Sequence, residues 1–183
     1  MDAGCPMADM ITAEQLVEFK KKHPKASVAC YVNTTAAVKA ESDVCVTSAN
    51  AVKVVNSLSE KEVLFVPDRN LADFVASGTS KKIIAWQGYC LVHDRFTEKD
   101  ILDARKEHPD AQIIAHPECR KEVLKLVDAV RSTSGMLEYV RTSPAKKFIV
   151  ATEIGLIERM KIEVPGKKYY SAGMAKTCVN MKK

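Results

Sequence analysis

The 183 residues hold 28 Lys and Arg against 23 Asp and Glu, a formal charge of +5, and 46% are apolar. That is enough apolar matter to bury one large core or two small ones. No apolar run reaches membrane-spanning length, and the lysines fall in scattered pairs such as Lys81-Lys82 and Lys146-Lys147 rather than in a stripe with aromatics, so neither a membrane nor nucleic acid is expected as a partner.

Thr12 precedes an apolar-spaced segment, with Gln15 three residues on, which predicts a helix to Lys22 stopped by His23-Pro24. Short apolar runs at Ser27–Val32, Val44–Val46, Val63–Val66 and Ile83–Trp86 have strand length, and helical spacing fills Thr35–Ala40, Ala49–Leu58 and Leu71–Ser77 between them. The order then repeats. Helices are expected at Thr97–Glu107, Arg120–Leu126, Ser134–Val140 and Ile154–Lys161, with strands at Gln112–Ala115, near Val130, at Phe148–Ala151 and at Tyr169–Ser171.

The repetition has one period. An offset of 85 residues lays Cys5 on Cys90, His23-Pro24 on His108-Pro109, Asp43 on Asp128, Val63-Leu64-Phe65 on Phe148-Ile149-Val150 and Asp68 on Glu153. Cys178 lies 88 residues after Cys90, a third equivalent point after a three-residue slip. The fold class is therefore α/β, with two internally repeated three-layer αβα domains, 1–89 and 90–183, on short parallel sheets.

In such sheets ligands gather at the carboxyl ends of the strands. The residues just past each strand are Tyr31 and Asn33, Thr47 and Ser48, Asp68, Cys90, His116 and Glu118, Ser132 and Thr133, Glu153, and Cys178. Three equivalent cysteines brought to one axis need a cation to relieve their repulsion. Three cysteines on an iron–sulfur cluster would leave one iron open as a Lewis acid, and a three-sulfur zinc site is the rival. His116 beside Glu118 reads as an acid–base pair, with a zinc hydrolase as one alternative and a metal-free two-lobed binding module as another. The hydroxyl pairs Thr47-Ser48 and Ser132-Thr133 open helices, where they cap and can hold carboxylates. Cys30 and Cys45, inside strands, and Cys119 read as small buried hydrophobes, and His23 and His108 as helix-end residues. Met1-Asp2-Ala3-Gly4-Cys5 lacks the basic and apolar regions of a leader, so a cytoplasmic location with reduced thiols is expected.

Gly4-Cys5-Pro6-Met7-Ala8, Tyr31-Val32-Asn33, Val46-Thr47-Ser48-Ala49-Asn50-Ala51, Pro67-Asp68-Arg69-Asn70-Leu71, Cys90-Leu91-Val92-His93, His116-Pro117-Glu118-Cys119, Ser132-Thr133-Ser134-Gly135-Met136 and Cys178-Val179-Asn180-Met181-Lys182 closely resemble the quinolinate synthases, end to end. The resemblance implies a pseudo-threefold, three-domain architecture around a [4Fe–4S] cluster, with Cys5, Cys90 and Cys178 as its ligands. It implies an enzyme of NAD biosynthesis that condenses iminoaspartate with dihydroxyacetone phosphate, and a functional link to the oxidase or dehydrogenase that makes iminoaspartate. By the same resemblance Tyr31, Asn33, Ser48, Ser132 and Thr133 hold substrate groups, His116 and Glu118 move protons, Tyr31 joins them in catalysis, and His93 lines the cavity. The family's first domain and C-terminal segment have no counterpart here. Two of three domains, low activity alone and association through the face of the missing domain are therefore expected. Arg131 stands where the family pattern usually has glycine.

Overall fold

The computed structural model describes residues 4–181; Met1-Asp2-Ala3 of the leader reading and Lys182 of the last motif lie outside the described residues. The backbone divides into two compact units, Met1–Cys90 with Asn180–Lys183, and Leu91–Val179.

The first unit opens with a 3-10 turn, Ala8–Met10, and continues α1 (Ala13–Lys22), β1 (Ser27–Tyr31), α2 (Ala36–Ala40), β2 (Val44–Val46), α3 (Ala51–Ser57), β3 (Glu62–Val66), α4 (Arg69–Ser77) and β4 (Lys82–Ala85). Its sheet runs β2-β1-β3-β4, all parallel. Alternate residues of each strand face opposite ways, as strand geometry requires. Val28, Cys30, Leu64 and Val66 pack with Leu16 of α1 and Val38 of α2 on one face, while Ala29, Val63 and Phe65 pack with Val55 of α3 and Leu71 and Val75 of α4 on the other.

The second unit has the same plan. A 3-10 turn, His93–Arg95, leads to α5 (Glu98–Glu107), β5 (Gln112–Ala115), α6 (Lys121–Leu124), β6 (Ala129–Val130), α7 (Thr133–Thr142), β7 (Lys147–Ala151), α8 (Ile154–Glu163) and β8 (Lys168–Ser171). The parallel sheet β6-β5-β7-β8 is covered by α5 and α6 on the Ile113 and Ile149 face and by α7 and α8 on the Ile114, Phe148 and Val150 face. Both units are thus three-layered αβα, as the sequence predicts.

The repeat extends to individual bonds. Thr12 with Gln15 and Thr97 with Asp100 form capping boxes on α1 and α5. Asp43 Oδ2 accepts the Val28 N–H at 2.6 Å, and Asp128 Oδ2 accepts the Ile113 N–H at 2.7 Å, so one carboxylate pins the inner strand at equivalent places. The three-residue slip is divided. Phe65 faces Ala85, whereas its equivalent Val150 faces Ser171, one residue beyond the period; the remaining two residues lie between β8 and Cys178.

Several boundaries differ from the sequence reading. Helix α3 starts at Ala51, not Ala49, and its N-cap is Asn50, whose Oδ1 accepts from both the N–H and the hydroxyl of Thr47 at 2.7 and 3.0 Å. The Thr47-Ser48 pair therefore sits in the turn before the helix instead of capping it. Cys45, expected to be buried, is exposed, because β2 is the outer strand of its sheet and only Val46 of its three residues is covered. Its sulfur lies 3.4 Å from that of Cys30, and this contact, with desolvation, pushes the Cys45 thiol up. Cys30 and Cys119 are buried as expected, and His23 and His108 are the C-caps of α1 and α5.

Candidate active site

The carboxyl edge of the second sheet gathers the buried ionisable side chains His93, Asp94, His116 and Glu118. His116 directly follows β5, its N–H donating to the Ala151 carbonyl at 3.2 Å, and the residue is 3% exposed. The Glu118 N–H donates to His116 Nδ1 at 3.3 Å. That nitrogen is an acceptor, so the neutral ring carries its proton on Nε2. Burial, reinforced by His93 and opposed by Glu118, holds the His116 pKa at about 3; at neutral pH the ring is uncharged.

The nearer imidazole to Glu118 is His93. Its Nδ1 lies 2.8 Å from Glu118 Oε2, against 3.8 Å from His116 Nδ1 to the other carboxylate oxygen. His93 Nε2 lies 2.9 Å from the Thr152 hydroxyl, one residue past β7. With a carboxylate on one nitrogen, the ring donates from Nδ1, and the Thr152 hydroxyl fixes the other end. The two rings stack at 4.5 Å between centroids and 19° between planes. Next to His93, buried Asp94 holds Arg120 at 2.8 Å. A carboxylate, two imidazoles and a hydroxyl thus form one packed group.

On the same sheet edge Ser132 caps α7, its Oγ accepting the Gly135 N–H at 3.3 Å, and Thr133 is the exposed first residue of the helix. Arg131 has no left-handed backbone; its guanidinium donates to the Val130 carbonyl and lies 5.4 Å from the Tyr139 ring centre. The turn therefore does not require glycine there.

In the first unit the equivalent of His116-Pro117-Glu118 is Tyr31-Val32-Asn33. Tyr31 ends β1, Ser48 lies in the turn after β2, and Asn33 Nδ2 donates to Cys5 Sγ at 3.4 Å. The Asn33 Oδ1 is buried without a hydrogen-bond partner among the described residues.

The cysteine loops obey one rule in both units. Asp68 caps α4 by accepting the Leu71 N–H at 2.8 Å through Oδ1, and its Oδ2 accepts the Cys90 N–H at 3.2 Å. Glu153 caps α8 by accepting the Gly155 N–H at 2.7 Å, and its other oxygen accepts the Cys178 N–H at 3.4 Å. The first N–H of each helix, Arg69 and Ile154, donates to the carbonyl two residues before the cysteine, Gly88 at 2.8 Å and Lys176 at 3.0 Å. A side chain at Gly88 would meet the Pro67 carbonyl oxygen at 2.5 Å, so the close approach of that loop requires glycine. Among the described residues Cys5, Cys90 and Cys178 are in no disulfide, and all three are partly exposed.

The family model described as "Quinolinate synthetase A protein" matches residues 1–183. The chain belongs to this family. Curated relatives named quinolinate synthase include those of Methanoregula boonei, 56% identical over 182 residues, Methanosarcina barkeri, 53% over 182, and Geobacter metallireducens, 53% over 181. These alignments cover 99–100% of this chain and 60% of each relative, so the chain spans about 60% of the length of the quinolinate synthases it matches.

Among the family-derived site residues, the fold brings His93, His116 and Glu118 together, sets Ser132 and Thr133 on the same sheet edge, and places Asn33 against Cys5. Thr152 belongs to the packed group, and Asp94 and Arg120 form the ion pair next in sequence to His93; none of the three was singled out from the sequence. Thr152 sits at the repeat equivalent of Pro67, where comparison of the repeats shows a polar residue just past a strand. No helix among the described residues is long and apolar enough to cross a membrane.

Proposed function

We propose that the chain carries part of a quinolinate-forming site, at which iminoaspartate condenses with dihydroxyacetone phosphate with loss of phosphate and water, as a step of NAD biosynthesis. The observation that carries the reading is the family match over the whole chain. Cys5, Cys90 and Cys178 would hold a [4Fe–4S] cluster. Their chemistry fits that group: the three thiols are in no disulfide among the described residues and partly exposed, where Cys30 and Cys119 are buried, and Asn33 directs an N–H at the Cys5 sulfur, as donors to ligating sulfurs do. When bound, the cluster supplies an iron with an open position, a Lewis acid for dehydration.

The protein side chains have separable tasks. His116, uncharged and protonated on Nε2, presents a hydrogen-bond donor that does not ionise at neutral pH, suited to a substrate carbonyl or carboxylate oxygen. Glu118 takes up a substrate proton, and His93 on its other oxygen, fixed by Thr152, steadies the carboxylate. Tyr31, Ser48, Ser132 and Thr133 supply hydroxyls for the substrate's carboxylates, and the unpartnered Asn33 Oδ1 accepts from a substrate N–H or O–H. The enzyme that makes iminoaspartate is the functional partner, and the cytoplasm the compartment, of this reading.

The test is quinolinate formation by the anaerobically reconstituted chain, alone and mixed with the portion of the Methanoregula boonei relative that lies outside the match. Product from the mixture, little from the chain alone, and about 10²–10⁴-fold slower formation from the mixture containing Glu118→Gln is expected. A cluster-loaded mixture that makes no quinolinate contradicts the reading.

A further inference from the structure

On the reading that Cys90 and Cys178 hold the cluster, we propose that Asp68 and Glu153 are positioning residues for it: each helix-capping carboxylate also tethers the backbone N–H of a ligand cysteine. A helix cap needs one oxygen, and a carboxylate has two. In both units the second oxygen goes to the cysteine N–H, Asp68 to Cys90 at 3.2 Å and Glu153 to Cys178 at 3.4 Å. The helix's first N–H meanwhile holds the carbonyl two residues earlier, Arg69 to Gly88 and Ile154 to Lys176. The segment leading into each cysteine is thereby held at two points by the start of one helix. The pattern survives the slip: Asp68 and Glu153 are 85 residues apart while Cys90 and Cys178 are 88 apart, so the longer loop of the second unit still returns its cysteine to the same carboxylate. The longer Glu153 side chain stands where the loop is longer.

Asp68 is fully buried, and capping alone does not demand a carboxylate, since asparagine caps as well as aspartate. Asp68→Asn therefore separates the two roles. An amide oxygen retains the bond from the Leu71 N–H, and the amide nitrogen, a donor only, cannot accept from Cys90. It also removes a carboxylate from beside a ligand, and local charge and hydrogen bonding set cluster potentials.

The experiment compares the chain with Asp68→Asn and Glu153→Gln, with Asp43→Asn as a carboxylate variant at the amino ends of the strands, away from the cysteine loops. In the metal-free chain, amide hydrogen exchange at Cys90 should accelerate about tenfold in Asp68→Asn, as loss of a bond to a charged acceptor gives, while exchange at Leu71 stays near that of the parent. Glu153→Gln should act likewise on Cys178, about threefold for its longer bond. In the reconstituted protein, both should release iron to a chelator faster and raise the cluster's reduction potential, with Asp43→Asn changing neither. Unchanged exchange at Cys90 and Cys178, or changed exchange with iron release and potential as in the parent, overturns the proposal. If the parent chain takes up no iron but the exchange changes appear, the tethers stand and the cluster reading fails.

Discussion

The two strand-end triplets that the repeat superposes, Tyr31-Val32-Asn33 at the end of β1 and His116-Pro117-Glu118 after β5, occupy the same place on two copies of one frame and offer different side chains. The first offers a phenol and an amide, and its amide turns to a cysteine sulfur. The second offers a buried imidazole and a carboxylate, and the carboxylate turns to a second imidazole. What the copies share is the frame and the cysteine loops: the capping boxes, the Asp43 and Asp128 pins, and the Asp68 and Glu153 tethers. The two copies share what holds the cysteine loops and differ at the strand-end triplets, which on the proposed reading would divide the work, one to hold substrate and one to move protons.

Glu118→Gln should break the proton-moving rim and lower kcat/KM for quinolinate formation by about 10²–10⁴, whereas Asn33→Ala should cost about tenfold, the scale of one binding hydrogen bond. Equal losses would erase the distinction.

Acid titration sharpens the same contrast. His116 has its pKa lowered to about 3 by burial, against about 6.5 in the unfolded chain. Between those values the unfolded state binds more protons, so stability is full above pH 6.5 and falls as pH drops toward 3, by up to roughly 4 kcal/mol. Urea unfolding at pH 7 and pH 4 should show this loss in the parent and a smaller one in His116→Gln, while Asn33→Ala leaves the pH slope as it is.

The shared frame predicts matching effects. Asp43→Ala and Asp128→Ala should each destabilise by about 1 kcal/mol and agree within about 0.5 kcal/mol, read as urea midpoints of separate transitions. Arg131→Gly should move stability by no more than about 0.5 kcal/mol, since that turn needs no left-handed residue.

The repeat made much of this legible. Period, element order, the Thr12–Gln15 capping box and the rim residues all follow from local pattern and self-comparison. The residue contacts did not. His93 meets Glu118 across 25 residues and Thr152 across 59, separations at which sequence adjacency favours the wrong partner; His116 is two residues from Glu118 yet lies farther from its carboxylate. The exposure of Cys45 depended on β2 being the outer strand, which strand length alone does not reveal. Asp68 and Glu153 were visible as rim residues, but their second bond runs to cysteines 22 and 25 residues on and shows only once the loops have returned.

Iron and sulfide content after anaerobic reconstitution, measured for the parent and for single alanine substitutions of Cys5, Cys90, Cys178, Cys30 and Cys119, tests the central claim that the three repeat-equivalent cysteines are the ligands. The account predicts [4Fe–4S] stoichiometry in the parent, its loss in each of the first three variants, and its retention in the Cys30 and Cys119 variants. Folded parent protein that takes up no iron, or a cluster that survives loss of Cys90, would contradict it.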